Sequence, residues 1–208
     1  MKKTRIAVLV SGGGTNLQAL IDAEKTGIIA SGEIVLVISS RADAYALRRA
    51  ERAGIPARTV QRDLSASQES FEEQILSALR ESDVGLIVLA GFMSILSERF
   101  TSLYAGRIIN VHPSLIPSFC GQGFYGLRVH EAALERGVKV TGATVHFVNE
   151  IPDGGEIILQ KAVCVEDGDT PATLQRRVME QAEWVILPQA VELVSKNLLT
   201  EEDNDGRL

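Results

Sequence analysis

Ile6-Ala7-Val8-Leu9-Val10-Ser11-Gly12-Gly13-Gly14-Thr15-Asn16-Leu17 decides the fold. A short apolar run rich in β-branched residues stops at a serine and a run of glycines. Apolar side chains then recur at helical spacing, at Leu17, Leu20 and Ile21. A strand buried on both faces shows no polar alternation, whereas a helix with one buried stripe repeats its apolar positions every three or four residues. The stretch therefore reads as buried strand, tight turn, helix. A glycine turn at that junction directs backbone N–H groups and the positive end of the helix dipole outward, which suits an anion. It is not a dinucleotide fingerprint, because Leu17 stands where the third glycine is needed, and no Lys-Ser or Lys-Thr follows as a Walker loop requires. Two readings stand: a phosphate cradle over Gly12, Gly13, Gly14, Thr15 and Asn16, or a plain strand-to-helix turn capped by Thr15 or Asn16.

The same alternation continues along the chain. Strands are expected at 34–38, 57–60, 84–90 and 107–111. Helices are expected at 43–53, closed by Gly54, at 67–81 with Phe71, Ile75, Leu76 and Leu79 on one face, and as a short piece at 97–104. Strands alternating with helices imply a parallel sheet covered on both faces. The pattern then changes. Residues 113–126 are rich in Pro, Gly and Ser and carry no period; loops of this length in compact domains are often functional. A helix at 129–136 stops at Gly137. Strands at 140–148 and 157–165 lie so close in sequence that an antiparallel edge pair follows. A long helical pattern covers 170–197, with Leu174, Val178, Val185, Val191 and Val194 facing the core and Pro188 expected to kink or split it. The expectation is a single α/β domain over 1–195, a mostly parallel, twisted, Rossmann-like sheet with helices on both faces and an antiparallel edge, followed by a flexible acidic tail at 196–208.

The bulk numbers narrow the function. The chain has 208 residues, 45% hydrophobic and 23% charged, with a net charge of −6. An acidic chain lacks the basic field that nucleic acids or anionic membranes attract, so neither is an expected partner. No apolar run reaches the ~18 residues a membrane helix needs. Cys120 and Cys164 form neither a CxxC pair nor a zinc spacing, which fits a reducing, cytoplasmic setting. The histidines, His112, His130 and His146, have no short metal-ligand spacing, so no metal site is expected. His130 falls in a surface-helix pattern and reads as structural.

Asn110-Val111-His112-Pro113 falls at the end of a strand, and parallel sheets bind ligands beyond those ends. Residues two apart in an extended chain point the same way, so Asn110 and His112 project together. Pro113 holds His112 extended. A carboxamide donor beside an imidazole suits acyl transfer, the one steadying an oxyanion and the other donating or moving a proton. The plainer alternative is that Asn110 caps the strand and His112 fills the loop. Asp153 lies in Pro152-Asp153-Gly154, a turn signature; its carboxylate can equally fold back toward a histidine. His146 shares a strand face with Thr144 and Val148 and fits either a core histidine or a supporting role. A nucleophilic Cys120 with His112 is chemically conceivable, and no G-x-S-x-G elbow is present.

Taken together, Ser11-Gly-Gly-Gly-Thr-Asn-Leu-Gln18, Ala90-Gly-Phe-Met-Ser-Ile-Leu96, Asn110-Val-His-Pro-Ser-Leu-Ile-Pro117, and His146-Phe-Val with Asp153-Gly-Gly155 resemble the phosphoribosylglycinamide formyltransferases, in order and over nearly the whole chain. The resemblance implies a folate-dependent enzyme of purine synthesis. Such an enzyme passes the formyl group of its co-substrate, 10-formyltetrahydrofolate, to the amine of 5′-phosphoribosylglycinamide, with no metal. It also implies roles by position. Asn110, His112 and Asp153 match the catalytic trio, and Gly12, Gly13, Gly14, Thr15 and Asn16 the phosphate loop. Met93, Ser94, Ile95 and Leu96 match the folate pocket together with Asn149, Glu150, Ile151, Pro152 and Asp153. Glu183, after a one-residue shift in register, matches a contact to the substrate amine, and His146 a support. Asp153 would raise the pKa of His112. The chain departs from the pattern at Ser94 and Gln68, where relatives carry Arg, at Glu156 in place of a frequent Pro, and in a longer loop at 118–125.

Two rivals share the core: a formyltetrahydrofolate deformylase, which adds an N-terminal domain not expected ahead of a strand starting at Arg5, and a methionyl-tRNA formyltransferase, which adds a basic RNA-binding face. A non-catalytic nucleotide-binding α/β module would keep the glycine loop without needing Asn110, His112 and Asp153 together. A monomer or homodimer fits equally.

Overall fold

The computed structural model describes residues 2–205. Its strands are β1 (Thr4–Val10), β2 (Gly32–Ser39), β3 (Ala57–Thr59), β4 (Leu86–Leu89), β5 (Ile108–His112), β6 (Val140–Phe147) and β7 (Ile157–Cys164). Its α-helices are α1 (Thr15–Thr26), α2 (Tyr45–Ala53), α3 (Gln68–Glu81), α4 (Glu98–Leu103), α5 (Leu127–Arg136), α6 (Pro171–Val178) and α7 (Trp184–Asp205). The strands form one sheet in the order β3-β2-β1-β4-β5-β6-β7. β1 to β5 run parallel, and β6 and β7 are antiparallel to their neighbours, as the short link between them implies.

Strand pleating explains the unbroken apolar run of β1. Ile6, Val8 and Val10 enter a core shared with α1, α2, α5, α6 and α7, while Ala7 and Leu9 enter a second core shared with α3 and α4. Both faces of the central strands are covered, so polarity cannot alternate along them.

Strand order places the site. The chain steps from β1 to β2 and β3 on one side, then returns to β4 on the other. At such a reversal the connections after two neighbouring strands leave in opposite directions and open a crevice at their carboxyl ends. Here the neighbours are β1 and β4, followed by Ser11–Gly14 and by 90–96.

The C-terminal pattern differs from expectation. It does split, but at a π-helical turn, Met179–Glu183, and not at Pro188, which lies inside α7. The carbonyl that the Pro188 ring would meet is that of Trp184, at the junction where the ladder is already displaced. The extra residue of a π-turn rotates the next helix by about one helical step. Val185 is consequently only half-buried, and Ile186 and Leu187 take the core positions. His130 is also displaced from expectation: it is fully buried on the inner side of α5. Of the acidic segment 196–208, α7 includes the part up to Asp205, and 206–208 lie outside the described residues.

Gly142 tests how tightly the antiparallel edge is built. A Cβ there would sit 2.0 Å from the Lys161 carbonyl oxygen on β7 and 2.9 Å from Leu115 Cδ2. Gly142→Ala is expected to destabilise the fold by about 1–3 kcal/mol, which lowers Tm by roughly 2–4 °C per kcal/mol for a chain of this size. Calorimetry measures this directly, and an unchanged Tm would mean that β6 and β7 can part at no cost.

Candidate active site

β5 carries the Asn-x-His pair. Asn110 is half-buried, and His112 is 4% exposed. Asn110 lies inside the strand as expected, and β5 runs one residue past the expected 107–111 to take in His112 as well. β6 lies alongside, pairing Asn110 with His146. The Asn110 amide nitrogen is 3.2 Å from His146 Nε2. His146 Nδ1 is 2.8 Å from the Phe147 carbonyl. A carbonyl oxygen only accepts, so Nδ1 holds the proton and Nε2 can accept from Asn110. The buried histidine thus fixes which way the carboxamide faces.

The 149–155 turn returns a carboxylate to this pair. Asp153 takes a left-handed φ of 55°, an uncommon conformation that aspartate tolerates better than most side chains. Its Oδ2 accepts the Gly121 N–H at 2.8 Å and lies 3.4 Å from His112 Nδ1, while Oδ1 lies 3.5 Å from His146 Nε2. Burial alone would push the Asp153 carboxyl up. The His146 contact, the His112 charge and the Gly121 N–H together hold it below the ordinary value.

His112 departs from expectation. Burial is the largest influence and sets its pKa below that of a free imidazole; Asp153 and the Phe119 carbonyl pull upward without prevailing. His112 Nε2 lies 2.9 Å from the Phe119 oxygen, so Nε2 carries the proton. Phe119 presents that carbonyl from a left-handed φ of 49°. His130, with both ring nitrogens buried and unpartnered among the described residues, is pushed by burial down to about 4. It is neutral at physiological pH.

Beside these groups lies a cavity of about 120 Å³. Leu89, Phe92, Ser94, Ile95 and Leu96 form one wall, Asn110 and His146 the floor, and Val148 with 149–153 the other wall. Of the expected Met93–Leu96 group, the Met93 side chain is outside this lining and 55% exposed; its backbone N–H instead donates to Ser11 Oγ at 2.9 Å. Gln68 donates to the Ile95 carbonyl, and Glu72, buried at 2% exposure, accepts from Gln68 and from the Ser97 N–H. These bonds brace the wall from behind. A wider cleft of about 390 Å³, lined by Lys2, Lys3, Arg5 and Arg107 among others, lies at the opposite ends of the strands and gathers none of the Asn110, His112 and Asp153 side chains.

On the other side of the crevice, Gly12 and Gly13 have open space over their α-carbons. Gly14, at φ 70°, caps α1, and a Cβ there would fall 2.6 Å from Ala46 Cβ. Glycine is therefore required at 14 by both sterics and φ. Asn16 donates from its amide nitrogen to Glu183 Oε2 at 2.7 Å, and its own amide oxygen is buried without a partner among the described residues. The π-turn brings Glu183 to the glycine loop from 167 residues away in sequence. Sequence reasoning missed Ser11 and Ser40, whose hydroxyls lie 2.6 Å apart, and the backbone groups of Phe119 and Gly121. Main-chain ligands leave no side-chain signature; Ser11 could have been flagged only by its place beside the glycines. Among the described residues no group of three or more His, Cys, Asp or Glu could hold a metal ion.

The formyl transferase family model matches residues 4–191, nearly the whole chain. The chain belongs to the formyl transferase family. Within it, a phosphoribosylglycinamide formyltransferase from Haemophilus influenzae is 43% identical over 204 residues, which cover 98% of this chain and 92% of that protein. The human trifunctional purine biosynthetic protein adenosine-3 is 47% identical over 203 residues, 98% of this chain but only 19% of that protein. The chain thus spans 14–20% of the length of the trifunctional relatives it matches. Among solved structures, glycinamide ribonucleotide transformylase 1 from Symbiobacterium toebii superimposes with a TM-score of 0.87 at 43% identity, covering 94% of this chain and 89% of that one. The family fold and the sheet order above agree.

Glu183 supplies a pH test. Its carboxyl is almost wholly buried, and burial pushes its pKa up to about 7 from 4.5, with the Asn16 bond opposing. Between those values the folded chain holds a proton that the unfolded chain has released. Folding is therefore favoured at the acid end of the window, and that contribution is lost as pH rises through about 7. Glu183→Gln should flatten this slope and leave the protein more stable than wild type above about 7. Denaturant unfolding across that range measures it; parallel stability curves for the two proteins would contradict the assignment.

Proposed function

We propose that this chain transfers the formyl group of 10-formyltetrahydrofolate to the amine of 5′-phosphoribosylglycinamide, with its chemistry at Asn110, His112 and Asp153. The observation that carries this reading is that Asn110 and Asp153 line one cavity at the open ends of β4 and β5, while His112 lies against Asp153 with its Nδ1 3.4 Å from Oδ2. Gly12, Gly13, Gly14, Thr15 and Asn16 hold the phosphate through backbone N–H groups at the start of α1. The apolar wall of Phe92, Ile95 and Leu96 with the 149–153 turn takes the flat folate ring and leaves its formyl group beside Asn110. Glu183, whose pKa burial raises to about 7, is drawn further into its ionised form when the cationic substrate amine arrives and helps to place it.

The substrate ammonium first gives one proton, through water, to the neutral His112, and the free amine then attacks the formyl carbon, forming a C–N bond and sending the carbonyl electrons to oxygen. The Asn110 amide hydrogen not committed to His146 donates to that oxyanion. His112 starts neutral, because burial outweighs Asp153. The negative charge developing beside it, together with the Asp153 carboxylate, favours its holding the proton taken from the substrate ammonium, which it returns to solvent after the intermediate collapses. The contact from Nε2 to the Phe119 carbonyl must open for that nitrogen to turn to the oxyanion, so the 113–126 loop has to give way at Phe119. Asp153 meanwhile aligns water that carries the amine proton to the departing folate nitrogen. Collapse of the tetrahedral intermediate breaks the bond to that nitrogen and leaves N-formyl product and tetrahydrofolate. No covalent enzyme intermediate is required.

Folate release followed by absorbance should depend on phosphoribosylglycinamide and be negligible with water alone. Release without the nucleotide would favour a deformylase, and no release in either case a binding module. Asn110→Ala is expected to lower kcat by about 10²–10³. Asp153→Asn should cut turnover as strongly while nucleotide binding, measured by calorimetry, survives. Activity near wild type in Asp153→Asn removes Asp153 from the mechanism.

A further inference from the structure

The paired run of β1 and β4 ends at Leu9 and Leu89, and the last ladder bond there is Ala90 N–H to the Leu9 carbonyl, 2.9 Å. Beyond it the chains part: Ser11 leads into the glycine loop, and Gly91, at φ 74°, turns the other segment toward the cavity wall. Among the described residues, one bond crosses the gap after this point. Met93 N–H donates to Ser11 Oγ, and that same oxygen lies 2.6 Å from Ser40 Oγ at the end of β2. Ser11 is 5% exposed, so the contact is shielded from water. A serine hydroxyl has one hydrogen and two lone pairs, enough to accept from Met93 and share a proton with Ser40. The backbone of Met93 sets where Ser94, Ile95 and Leu96 stand, and that of Ser11 sets where Gly12 begins.

We infer that Ser11 is a positioning residue that couples the two substrate subsites, so that filling the glycine loop tightens the binding of folate. This rests on the site reading above, in which the glycine loop holds the nucleotide phosphate and 93–96 border the folate. The physical basis is that a phosphate drawing in the N–H groups of the glycine loop restrains Ser11. Ser11 in turn restrains Met93, and the second ligand meets a wall whose ordering has already been met. Linkage requires the reverse effect to be equal: folate tightens nucleotide binding by the same factor.

The test uses tetrahydrofolate, which carries no formyl group and cannot turn over, titrated calorimetrically with and without saturating phosphoribosylglycinamide. Wild type is expected to bind tetrahydrofolate about fivefold or more tightly when the nucleotide is present. In Ser11→Ala the ratio should fall to about 1–2, whatever happens to the separate affinities. A merely structural role would weaken each ligand alone and leave the ratio intact. Ser40→Ala keeps the Met93 acceptor but frees the Ser11 hydroxyl, and should give an intermediate ratio; it decides the matter if Ser11→Ala does not fold. A wild-type ratio of 1, or a wild-type ratio retained in Ser11→Ala or, failing that, in Ser40→Ala, overturns the coupling while leaving the site reading in place. Failure of wild type to bind either ligand overturns both.

Discussion

β1 and β4 are neighbours in space whose following segments must leave in opposite directions, and this constraint organises the whole site. Parallel strands cannot be joined by a short turn, so each connection crosses a face of the sheet. Where the crossovers change side, the carboxyl ends of two adjacent strands are left uncovered. The glycine loop occupies one lip of that opening and 90–96 the other. A cleft with two facing lips arises from topology alone, before any side chain is chosen.

The chemistry is then supplied from the antiparallel side. β6 brings His146 to Asn110, and the turn after it brings Asp153 to both histidines. Asp153 also holds the 113–126 loop through Gly121, and Phe119 in that loop engages His112. One carboxylate therefore joins the turn, the loop and the strand. Its ionised form is favoured by the histidines around it even though burial opposes it. His112 shows the opposite balance, burial prevailing over the carboxylate. The two groups therefore do not rest as a full ion pair.

Much of this was legible in the chain. The central strands β1, β2, β4 and β5 follow from apolar runs, because a strand covered on both faces must be largely apolar. The antiparallel edge follows from the short link between β6 and β7. Asn110 and His112 were placed on one side of a strand by simple alternation. Less was legible after 170. A π-turn adds one residue without changing composition, so helical periodicity predicts a buried Val185 where the fold buries Ile186 and Leu187. His130 sits among polar neighbours that suggested a surface, yet α5 turns it inward.

The amino-acid sequence by itself determined the order of strands and helices, the glycine turn and the identity of the side chains able to steady an oxyanion. These depend on local spacing, which a chain carries with it. Only the tertiary structure decided what those side chains meet: Asp153 against His112, Glu183 against Asn16, Ser11 against Met93, and the Phe119 carbonyl on the histidine. Those contacts join residues distant in the chain, or use main-chain atoms common to every residue. Their strength, and the direction in which His112 and Glu183 shift, comes from burial that no stretch of sequence contains until the layers have packed.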